Sequence, residues 1–94
     1  MNRRSSIYSL RVASTRPERL LPDLVHAAQA TGNPNLDSHH RIEDGEGYAA
    51  VGFRAADDAT AARTAINILD WAELYDAHAR LFTGFGQARR EVSF

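Results

Sequence analysis

The side chains most able to do chemistry here are arginines, aromatic rings and histidines, and strand alternation gathers several of them onto one surface. In segments that alternate with period two, Arg11, His39, Arg41, Tyr48, Arg54, Arg80 and Phe82 share a parity, so a sheet would present them together. Guanidinium groups beside aromatic rings hold carboxylates, phosphates, bases or a partner chain. Ala50 and Gly52 have the same parity, and their small size would let another surface approach closely. Nothing in this set is a nucleophile with its base. His39, beside Arg41 and near Glu43, is the histidine placed for acid-base work should the protein be an enzyme. His39 and His40 point to opposite faces of a strand and cannot chelate one ion, so no metal site and no cofactor are expected. His26 reads as a helix-surface residue and His40 as a half-buried one with a partner. Glu43, Asp44 and Glu46 read as a solvated hairpin tip.

The 94 residues suffice for one domain with one modest core. The absence of cysteine excludes thiolate chemistry and Cys-based zinc or iron-sulfur sites. With 11 basic and 12 acidic side chains the formal charge is −1, which argues against a generic electrostatic grip on nucleic acid. Every basic residue is arginine, read first as a compositional bias. Neither a signal peptide nor a membrane span is apparent, and a cytoplasmic location is expected.

The elements that must position the arginine face are legible in turn. Residues 1–6 read as a tail, and Ile7 to Ala13 as a strand with Tyr8, Leu10 and Val12 facing the core. Thr15 and Glu18 have capping-box spacing, opening a helix with Leu21, Leu24, Val25 and Ala28 inward and Gly32 then Pro34 at its end. Pro22 should kink that helix or mark its true start. Leu36 to Ile42 reads as the second strand, turned by Asp44-Gly45 into a third from Tyr48, with Ala49, Val51 and Phe53 inward. Asp57 or Asp58 should cap a second helix striped with Ala62, Ala65, Ile66 and Leu69, flanked by Ile68, Trp71 and Tyr75 and ending near Asp76. His78 to Gly86 is the last strand, with Leu81, Thr83 and Phe85 alternating inward. Residues 87–94 form a tail that either extends it or makes an edge strand on a neighbouring subunit.

This order closes most simply as an α+β, ferredoxin-like βαββαβ sandwich, an antiparallel sheet with both helices on one face. The first and third strands then lie in the centre, and the arginine-bearing face is free of helices. The stretch Leu10 to Ile42 resembles the ACT domain, a dimeric regulatory module that binds amino acids. It carries Arg16-Pro17-Glu18-Arg19-Leu20 after the first strand, then Gly32 and Asn35-Leu36 before the second. By that resemblance Arg16, Pro17, Asn33 and Asn35 would lie near the ligand; Glu18 stands where the family has glycine. Glu46 to Phe53 resembles the third-strand signature of the RNA-recognition motif through Gly47, Tyr48, Ala49, Val51 and Phe53, departing at Glu46 and Ala50.

The expectation is a small non-catalytic binding or regulatory protein, a homodimer sensing an amino acid or similar small anion. Its binding residues would be Arg11, Arg16, Asn35, His39, Arg41, Tyr48, Arg54, Arg80 and Phe82. The alternatives are a protein-partner inhibitor or adaptor of phage type, a dimeric isomerase, cyclase or monooxygenase using His39, and an RNA-binding module. They predict different occupants for one face.

Overall fold

Tyr8, Leu10 and Val12 alternate with Ser9, Arg11 and Ala13, and that alternation becomes the centre of the protein. In the computed structural model, which describes residues 5–33, 36–75 and 77–94, the first strand β1 spans Ser6–Ala13 and takes in the end of the expected tail. It lies between β3 (Glu46–Ala55) and β4 (Ala79–Thr83), antiparallel to both. With β2 (His39–Glu43) outside β3 and β5 (Arg90–Val92) outside β4, the five-stranded sheet runs β2-β3-β1-β4-β5. The architecture is α+β. The tail is thus an edge strand of this same chain, pairing Leu81 with Val92 and Thr83 with Arg90.

Helices α1 (Pro17–Ala30) and α2 (Asp58–Trp71) share one core with the inward side chains of the sheet. Leu24, Ala27 and Ala28 of α1 and Ala61, Ala65 and Ile68 of α2 meet Leu10, Val51, Phe53 and Leu81, all fully buried. The alanines bring helix backbones close to the sheet. The inward stripe of α2 is therefore Ala61, Ala65 and Ile68, turned from the expected one; Ile66 is 44% exposed. Trp71 lies on the surface with its indole edge-on to His26, ring centroids 4.8 Å apart.

Several boundaries differ from expectation, each for a local reason. Arg16 is the N-cap of α1, and Ser14 Oγ accepts from its N–H while no side chain caps the helix, so the Thr15–Glu18 box does not form. Pro17 takes the first turn, where a missing N–H costs nothing, and the helix continues through Pro22 without restarting. Asp57 caps α2 as expected, its Oδ1 accepting from Thr60 N at 2.8 Å. That helix stops at Trp71 rather than near Asp76, which lies outside the described residues. Glu73 adopts a left-handed φ of 57°, while Leu74 N–H donates to Leu69 O and Glu73 N–H to Asp70 O. This is the closing motif that glycine normally makes, and α1 ends the same way with Gly32. A glutamate in that place left no signal.

The turn at Asp44-Gly45 has positive φ at both residues, 52° and 80°, the primed hairpin its sequence predicts. β2 is shorter than expected and begins at His39. It is the outer strand of the sheet; Ile42 on it and Leu36 before it are exposed, and His40 is exposed rather than half-buried. β4 ends at Thr83 because Gly84 turns left-handed, leaving Phe85 81% exposed instead of inward.

β5 is held at its apolar residue more than at its charges. Val92 is 5% exposed, and burying such a side chain is worth about 1.5–3 kcal/mol. The exposed Arg80–Glu91 pair contributes about 0–1 kcal/mol by comparison. Arg90 adds a forked bond to Asp58, Nη1 to Oδ2 at 2.7 Å and Nη2 to Oδ1 at 2.9 Å, and Tyr8 donates to Oδ1 at 2.8 Å. These bonds, first from Arg90 and then from Tyr8, hold the Asp58 carboxyl below the ordinary carboxylate range. A lowered folded pKa gives stability that is present above the unfolded value, about 3.9, and is lost as pH falls through the folded one. Urea titrations at neutral pH and below pH 4 should therefore show the native chain losing more stability on acidification than Asp58→Asn does. Equal losses would remove Asp58 from the acid response.

Candidate anion-binding face

The strand register assembles the helix-free face row by row. His39 of β2, Ala50 of β3, Arg11 of β1 and Arg80 of β4 lie side by side, and the next row runs Gly52, Ser9, Phe82 and Glu91. Arg11 is thus directly opposite Arg80. Like charges at facing positions oppose folding, so the arrangement needs compensation, and it receives part of it. Glu91 Oε1 accepts from Arg80 Nε at 3.2 Å and also from its Nη2.

Arg11 is compensated differently. Its guanidinium carbon lies 4.8 Å from the centroid of Tyr48 and 4.8 Å from that of Phe82, between two rings. Arg80 and Arg89 also stand over Phe82, at 5.2 and 5.3 Å. Three cations on one ring is a crowded arrangement. Moreover Arg11 Nε is buried without a hydrogen-bond partner, and so is Ser9 Oγ two residues before it. A buried donor left unmade costs about 1–3 kcal/mol, more for a charged group.

Beside Arg11 opens a cavity of about 410 Å³. Arg11, Arg41, Arg80 and His78 supply its basic groups, Tyr48 and Phe82 its aromatic walls, and Asp44 and Glu46 an acidic margin at the hairpin. Tyr48 is oriented in turn by His39, whose Nε2 is 3.5 Å from the phenol oxygen and whose Nδ1 is 3.6 Å from Asp37 Oδ1. These separations are too long for strong hydrogen bonds. They place the ring but give His39 no tight proton path.

Of the expected site residues, the structure brings Arg11, Arg41, Tyr48, Arg80 and Phe82 to one cavity, with His39 just behind Tyr48. Arg54 pairs with Ile7 farther along the sheet and lines no part of it. Arg16 and Asn33 sit at opposite ends of α1, so the ACT-like set is not gathered within the chain, and Asn35 lies outside the described residues. Ala50 and Gly52 are buried already. A Cβ on Gly52 would come 3.2 Å from Asp37 N, so at Gly52 the approaching surface is the chain's own segment before β2. His78, Asp44 and Glu46 were missed as lining residues. His78 precedes β4, and its carbonyl accepts from Ala13 N–H, a long-range contact with no sequence signal.

Among the described residues no helix is long and apolar enough to cross a membrane, and no cluster of three or more histidine, aspartate or glutamate side chains could hold a metal ion. No protein-family model matches the chain, and no curated protein matches it. Among solved structures it is similar to a de novo designed protein, Foldit4, with a TM-score of 0.62 at 18% identity, over 89% of this chain and 100% of that one. At that identity the likeness concerns the fold alone.

Proposed function

We propose that this is a non-catalytic binding protein that holds a small carboxylate-bearing ligand, of the amino-acid kind, on the helix-free face of its sheet. The observation that carries the reading is Arg11, a guanidinium set between two rings with a buried Nε–H that no protein group accepts. Local rules of folding disfavour that placement, and such violations gather at functional positions. The cavity beside it suits a zwitterion, with arginines for a carboxylate and Asp44 and Glu46 for an ammonium group. The strand order β2-β3-β1-β4, with both helices packed in one core, supports a ferredoxin-like sandwich extended by β5. The ACT resemblance contributes the idea of a regulatory sensor. Its ligand position would move, from the first turn to the sheet face. RNA binding is less well served, because Arg11 already covers a face of each ring on which a base would stack.

Thermal unfolding in the presence of single amino acids, other small carboxylates and phosphate tests the reading. A ligand at a hundred times its Kd stabilises the folded state by about 2.7 kcal/mol, enough to raise Tm by several degrees. If no member of the panel moves the midpoint, the reading fails.

A further inference from the structure

A second, smaller cavity of about 180 Å³ lies along Ser9, Arg11, Phe82 and the turn that follows β4. Its position differs from the first in one chemical respect. It is the cavity that Ser9 and Arg11 share, and these two residues hold the buried side-chain atoms left without a partner, Ser9 Oγ and Arg11 Nε, among the described residues. Both can donate a hydrogen bond, and Arg89, which also lines the cavity, brings a further guanidinium. Asp37 also lines the cavity, its Oδ1 3.6 Å from His39 Nδ1.

We propose that this cavity is a subsite for one carboxylate group, whose oxygens accept from Arg11 Nε–H and Ser9 Oγ–H while Arg89 supplies charge. The inference rests on the reading that the sheet face binds small anions, and it names the donors for the anionic end. The two atoms are sealed from solvent, so the side chains over them must part as the ligand enters. Seating an oxygen there satisfies two donors that the free protein leaves unmade.

Acetate is the probe, titrated into the full chain while the Nε–Hε resonances of the arginines are followed by nitrogen-15 NMR. The Arg11 resonance should shift saturably, and Ser9→Ala should weaken acetate about tenfold, the effect of one charge-assisted hydrogen bond. The same variant should fold with an unchanged or higher Tm, since the hydroxyl it removes has no partner. A parallel amino-acid titration followed at Tyr48 and Arg41 separates the two readings. If those signals respond while Arg11 Nε–Hε ignores acetate, or if Ser9→Ala binds acetate as tightly as the native chain, the subsite is wrong and the wider face survives. If neither titration moves any signal, both are overturned.

Discussion

Gly47→Ala should cost about 2–3 kcal/mol of folding stability, a large part of the about 5–15 kcal/mol of a small domain. A Cβ there would lie 2.7 Å from Arg41 O, 3.0 Å from Ser14 O and 3.0 Å from Pro17 Cγ. The two oxygens are backbone atoms of β2 and of the β1–α1 connection, so no rotamer change relieves the contact. Ser14 N–H also donates to Gly47 O at 2.9 Å, tying the β1–α1 connection to β3. Relief therefore means moving the hairpin away from the helix start, and with it Arg41, Asp44 and Glu46 at the cavity margin. Gly45→Ala is the comparison. Its φ is +80° but a Cβ would meet nothing within 4 Å, so only backbone strain of about 1–2 kcal/mol applies. Urea midpoints for both variants, with slopes checked for constancy, measure the difference. A Gly47→Ala loss no greater than that of Gly45→Ala would show that the junction yields easily.

The second large effect is on binding. Arg11→Met should weaken binding of the proposed carboxylate ligand at least about thirtyfold, or about 2 kcal/mol, because it removes a desolvated donor and charge. Folding stability should change by no more than about 1 kcal/mol. The variant gives up cation–π contacts with Tyr48 and Phe82 worth about 0.5–1 kcal/mol each. It also removes the buried unpartnered Nε and the facing of Arg11 with Arg80, and a methionine sulfur packs well against the same rings. Calorimetric titration and urea unfolding on one preparation separate the effects. Unchanged affinity would exclude Arg11 from the site, while a collapse of stability would make it a structural residue.

Much of the scaffold could be read from local pattern. The inward sets of β1 and β3, the Asp44-Gly45 turn and the Asp57 cap depend on contacts within a few residues, and each is found where its residue types require it. The reading failed where a partner element decided the outcome. Ile42 and Phe85 have the parity of core residues but are exposed, because one lies on the outer strand and the other follows Gly84 out of the sheet. Ile66 has helical spacing like Ala65 but faces outward, since the direction of an apolar stripe depends on where the sheet stands.

The site divides along the same line. Period-two alternation alone determined that Arg11, Arg41, Tyr48, Arg80 and Phe82 share a face, because successive strand side chains must point to opposite sides. The tertiary structure decided which of them meet. Register placed Arg11 opposite Arg80 and between Tyr48 and Phe82, moved Arg54 out of reach and drew in His78. It also laid Asp37 over Gly52 and enclosed Ser9 Oγ with Arg11 Nε. Those contacts join residues from three strands and the segments between them. Their spacing in the chain carries no information about distance until the sheet has formed.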